Sequence, residues 1–179
     1  MHPRIAEVLT YLDTNRAALE RTLKEVPPAS RERRPASERW SVAEVIQHLA
    51  LVEGRITELL ASRIEEARSV KLGIENDASP VTPTFDFARV ADRQRPVVAG
   101  EAVLPTAPLG VDAAWAMLEE RRAKLRALVV SADGLPLAKV TAPNRVLGPL
   151  DGYQWVLFIG AHEARHTAQI REIATQLER

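Results

Sequence analysis

The chain has 179 residues, 46% of them hydrophobic and 27% charged, with 24 basic and 24 acidic side chains and no cysteine. Such a length and balance describe one globular domain, residues 1–179, with enough mass for a sizeable core, and exclude a disordered chain. Zero formal charge argues against a broad polyanion-binding surface, so nucleic acid is not an expected partner, and the lack of cysteine excludes disulfides, thiolate metal ligands and cysteine nucleophiles.

Residues 1–7 carry no apolar signal core, and no run approaches the ~20 apolar residues of a membrane span. The expectation is a cytoplasmic chain with no membrane partner. Ile5, Val8, Leu9, Leu12, Leu19, Leu23 and Val26 recur at helical spacing and predict a first amphipathic helix over 4–26. Pro27-Pro28 ends it, since neither can donate an N–H. The polar stretch 29–39, with Arg31, Arg33 and Arg34, reads as a solvated loop.

Ser41 followed three positions later by Glu44 is a capping box, with Trp40 placed to staple onto the first turns of a second helix that reaches about residue 68. Its apolar stripe runs through Val45, Leu49, Val52, Ile56, Leu59 and Leu60, and His48 falls on the inward side of that stripe. Residues 69–110 contain Pro80, Pro83, Pro96, Pro105 and Pro108 and read as a long crossover, with a short helix near 85–90. Asp86, Arg89, Asp92 and Arg93 within it are candidates for a pocket mouth.

Helical periodicity resumes over 111–131 with Val111, Trp115, Leu118, Leu125, Leu128 and Val129. Arg121, Arg122, Lys124 and Arg126 suit the negative end of that helix dipole. Residues 135–149 form a short connection with a little extended structure. Asp151, with Gln154 three positions on, caps a last helix that runs to the end and presents Trp155, Ile159, His162, His166, Ile170, Ile173 and Leu177 along one face. Trp40, Trp115 and Trp155 read as core or staple residues. Four amphipathic helices with a long loop between the second and third predict an all-α four-helix bundle with one crossover, in which the second and third helices run parallel.

His162 and His166 are four apart, so a helix stacks them about one turn or ~6 Å apart on one face. With His48 from another inner face they form a set of three neutral imidazoles. That set suits a divalent ion with open coordination positions, as in catalytic rather than closed structural sites; imidazole suits zinc, nickel, copper and iron, and the expectation is zinc or nickel. His162-Glu163-Ala164-Arg165-His166 also fits the H-E-x-x-H pattern of zinc peptidases, in which the glutamate is the general base. The peptidase extension is missing: Gln169 and Glu172 stand where a glycine and a histidine are needed, and no histidine follows His166. Glu163 stays a candidate catalytic base toward a metal-bound water, and Glu53 and Gln169 are candidates to orient a ligand imidazole.

Trp40-Ser41 leading into a helix with His48-Leu49, then His162-x-x-x-His166-x-x-Gln169-Ile170 on the final helix, resembles the DinB-like superfamily, which includes YfiT-type proteins and thiol-dependent transferases. The resemblance implies an up-down-down-up bundle, a metal held by His48, His162 and His166, and a homodimer. It also implies chemistry on a small-molecule substrate, with S-transfer from a low-molecular-weight thiol the leading expectation. The alternatives are a hydrolase using metal-bound hydroxide, with Glu163 as base, and a non-catalytic metal-binding stress-response protein.

Overall fold

The computed structural model describes residues 1–95 and 97–178, so the break expected at Pro96 lies outside the described residues. Helix α1 (Pro3–Glu25) opens with His2, whose ring accepts the Arg4 N–H, and with a proline where the missing donor costs nothing. Ile5, Val8, Leu12 and Leu19 are fully buried along its inner face. Helix α2 (Val42–Ser69) opens with the expected capping box: Ser41 Oγ accepts the Glu44 N–H, and the Glu44 carboxylate accepts the Ser41 N–H.

The crossover contains the short helix α3 (Phe87–Ala91), capped by Asp86, and leads to α4 (Val111–Ser131). Two short strands follow, β1 (Thr141–Asn144) and β2 (Gly148–Asp151), paired antiparallel with Thr141 opposite Asp151 and Asn144 opposite Gly148. The turn closes through Asn144 Oδ1, which accepts the N–H groups of Val146 and Leu147, and through Gly148 at φ +81°. The extended structure expected here is thus a defined hairpin. Helix α5 (Gly152–Leu177) starts at a second capping box, Asp151 with Gln154.

Residue pairs fix the chain directions. Arg16 meets Glu163 and Thr22 meets Arg171, so α1 and α5 run parallel. Glu53 meets Arg122 and Arg68 meets Ser131, so α2 and α4 also run parallel. Leu19 and Leu23 share an apolar cluster with Val42 and Val45, which brings the end of α1 to the start of α2. The bundle is therefore up-down-down-up, with the crossover doing what its length allows. Helices α1 and α5 touch closely at Gly160, where a Cβ would stand 2.5 Å from Tyr11 Cε1.

The apolar core falls into two clusters. One gathers Ile5, Leu12, Leu60, Leu125 and Leu157; the other gathers Leu19, Ile46, Leu118 and Ile170. Between them each long helix contributes one buried charge: Arg16, Glu53, Arg122 and Glu163. The loop before α2 is less free than its composition suggests. Arg31 Nε donates to the Val26 carbonyl at 2.9 Å, and Arg34 Nε donates to Glu44 at 2.9 Å. The crossover is pinned as well, since Glu7 accepts the N–H groups of Val81 and Thr82. No helix among the described residues is long and apolar enough to cross a membrane.

Candidate metal centre

Helix α2 delivers His48 and helix α5 delivers His162 and His166 to one point. The three ring-nitrogen donors lie within 4.8 Å of one another, and no carboxylate belongs to the set among the described residues. His162 Nε2 and His166 Nε2 are 3.1 Å apart. Two nitrogens on one tetrahedral ion, each about 2.0–2.1 Å from it, would stand about 3.3 Å apart, so little movement separates this arrangement from a chelate. His48 and His166 are 4% and 8% exposed, while His162 is half-buried.

Two of the three rings have an assigned tautomer. His48 Nδ1 lies 2.8 Å from the Val103 carbonyl and His166 Nδ1 lies 2.7 Å from Gln169 Oε1. Both partners are acceptors only, so each Nδ1 carries the proton and each Nε2 presents a lone pair. Val103 belongs to the crossover, which thereby reaches over the cluster and orients one of its rings. Arg165 holds the neighbouring part of the crossover in place through the carbonyls of Val90, Asp92 and Arg95.

Electrostatics keep the rings neutral. Burial lowers the His48 pKa, against the opposing bond to Val103. Burial foremost, then His166, His48 and Arg165, holds His162 well below the ordinary histidine range. Burial and then His48 bring His166 to about 3. Neutral imidazole is the form that binds metal. Aromatic faces flank the cluster: Trp40 lies 4.9 Å from the His48 ring, and Phe158 stacks on His162 at 5.7 Å with an 18° tilt between planes.

The other expected site residues divide. Gln169, a candidate to orient a ligand imidazole, does so for His166. Glu53 and Glu163 do not contact the histidines through a hydrogen bond; both are buried and bound to Arg16 and Arg122. Both Glu163 oxygens are taken by those guanidinium groups, which is not the arrangement of a free base beside a metal-bound water. Arg93 pairs with Glu172 on α5, and Asp92 lies beside it, whereas Asp86 caps α3 and Arg89 is exposed. Trp155 is in the core, and Trp115 carries the Arg16 guanidinium 5.5 Å from its ring centroid. Phe158 was not among the expected site residues, although its place one turn before His162 is the signal that would have marked it; the Val103 carbonyl carries no such signal.

The family model described as the DinB superfamily matches residues 11–170, a span that includes all three histidines. The chain belongs to the DinB superfamily. The uncharacterised protein YuaE of Bacillus subtilis (strain 168) is 26% identical, over 92% of this chain and 97% of its own length. The crystal structure of TT2238, a four-helix bundle protein, superposes with a TM-score of 0.63 at 22% identity, over 94% of this chain and 98% of that one. At that identity the likeness speaks for the bundle fold alone. The donor chemistry fits a metal ion: in this DinB-superfamily chain a buried three-histidine cluster can hold one.

Proposed function

We propose that this chain is a metal-dependent S-transferase that holds a divalent ion, zinc or nickel, on His48, His162 and His166 and joins a low-molecular-weight thiol to a small electrophile. The observation that carries the reading is the convergence of three neutral imidazoles with no carboxylate among the donors. Such an ion keeps its full positive charge and an open position, and supplies a centre at which a bound thiol ionises at neutral pH. The protein's own part is orientation and exclusion. Val103 and Gln169 turn the His48 and His166 lone pairs inward, and Trp40 and Phe158 cover ring faces against water.

The engagement of Glu163 favours a thiol over water as the nucleophile. Hydrolysis asks for a proton acceptor near the site, and the expected one has both oxygens held by Arg16 and Arg122. A thiol at such an ion would release its proton to solvent at neutral pH and so would not depend on a protein base. A homodimer belongs to this reading on the family resemblance, and sedimentation tests it.

The deciding experiment loads the protein in turn with zinc and nickel and offers a chromogenic electrophile with cysteine, glutathione, bacillithiol or mycothiol. Metal-dependent consumption, lost in His48→Gln, is the expected result. Loaded protein that consumes no electrophile above the uncatalysed rate with any of these thiols would overturn the reading. A folded, metal-bound Glu163→Gln protein that loses an esterase activity of the wild type would favour the hydrolase instead.

A further inference from the structure

Arg16, Glu53, Arg122 and Glu163 form a closed square across the bundle. Arg16 Nε donates to Glu163 Oε1 at 2.6 Å and its Nη2 to Glu53 Oε2 at 3.3 Å. Arg122 Nε donates to Glu53 Oε1 at 2.6 Å and its Nη2 to Glu163 Oε2 at 2.7 Å. The remaining donors are used too: Arg122 Nη1 meets the Leu12 carbonyl at 3.1 Å, and Arg16 Nη1 meets Glu119. Among the described residues no buried side-chain polar atom lacks a partner.

Stability alone does not account for four charges here, because buried ion pairs can often be exchanged for apolar side chains at no loss. What the square supplies is direction. Apolar contact is non-directional, so helices packed only through leucines tolerate axial slip. Planar guanidinium forks bonded to carboxylates on two helices do not. A slip of one residue moves a helix ~1.5 Å, whereas a metal site tolerates about 0.2 Å in its ligand distances. The two carboxylates stand on the two helices that carry the histidines: Glu53 is five positions after His48 on α2, and Glu163 directly follows His162 on α5. Each arginine, one from α1 and one from α4, grips both carboxylates.

We infer that Arg16, Glu53, Arg122 and Glu163 are positioning residues for the metal centre, locking the register of α2 against α5 so that His48 meets His162 and His166. The inference rests on the metal reading above. It separates this role from a merely structural one, because register should appear in the coordination sphere even where the fold is intact.

The test removes one charge pair as a unit, Glu53→Met with Arg122→Met, leaving the Arg16–Glu163 pair in place. The control is Glu75→Gln with Tyr153→Phe, which breaks the buried Tyr153–Glu75 hydrogen bond at the opposite end of the bundle. Each protein is titrated with cobalt(II), followed by its d–d absorption, and its fold is checked by circular dichroism. The folded pair variant is expected to bind cobalt about 10- to 100-fold more weakly than wild type with altered bands, and the control to match wild type. Arg122→Lys keeps the charge but loses the fork; it is read in the same way if the pair variant fails to fold. Wild-type affinity and bands in the folded variant, or an equal loss in the control, would overturn the inference. Wild-type protein that takes up no cobalt, zinc or nickel removes the metal reading, and this inference with it.

Discussion

Gln169 sets which nitrogen of His166 faces the cluster. Replacing it by leucine keeps the volume but removes the acceptor for Nδ1–H, so the other tautomer becomes available. Chelator competition is expected to show metal affinity lower by about 10- to 100-fold in Gln169→Leu, with the helix content unchanged. Glu163→Gln acts differently. It leaves two buried guanidinium groups short of a charge, and denaturant unfolding is expected to show a loss of about 3–5 kcal/mol. A variant as stable as wild type would contradict the square as drawn. The histidine pair was legible because side-chain spacing on a helix is periodic, and His48 because it interrupts an apolar stripe. Arg16 and Arg122 interrupt stripes in the same manner, between Leu12 and Leu19 and between Leu118 and Leu125. Arg122 was nonetheless read with its basic neighbours as a response to the helix dipole, which hid its inward direction. The Val103 carbonyl was out of reach, since a main-chain acceptor in a loop leaves no mark on residue type.

Close approach of α1 to α5 depends on a single glycine. Gly160→Ala places a methyl against the Tyr11 ring and is expected to cost about 1–3 kcal/mol. In a Tyr11→Ala background most of that cost should vanish, and a double-mutant cycle measures the coupling. The start of α2 offers a pH test. Burial alone would raise the Glu44 carboxyl, but bonds from Arg34 and Ser41 outweigh it and hold the pKa below the ordinary value. Its stabilisation is therefore complete above the unfolded value of about 4.3 and is lost as pH falls through the lowered one. Melting of wild type and Glu44→Gln should differ at neutral pH and converge in acid. Ser41→Ala removes the other half of the box and should cost about 1 kcal/mol at neutral pH. The helix limits were readable because caps and prolines act locally. The hairpin was not, because Pro143 and Pro149, which face each other across it, are residues that ordinarily argue against strands.

An ion that binds only the folded chain stabilises it by mass action, about 2.7 kcal/mol at a hundredfold excess over the dissociation constant. Calorimetry is expected to show the melting temperature rising with added zinc or nickel and falling back with chelator, and a triple His48, His162 and His166→Gln variant to show neither. The up-down-down-up order was legible because only a long connection lets consecutive helices run parallel. That the crossover also reaches over the histidine cluster was legible only in part: some of its charged residues read as a pocket mouth, but the contact to His48 is made by a backbone carbonyl. The charged square has a consequence for how the chain folds. Its four members come from four separate helices, so no docked pair or trio of helices can satisfy them all. Partly assembled bundles would carry half-matched charges in a dry interior and be poorly populated, which concentrates the gain in the last docking step. Amide exchange in α1, α2, α4 and α5 should then report one shared opening rather than helices that unfasten in turn.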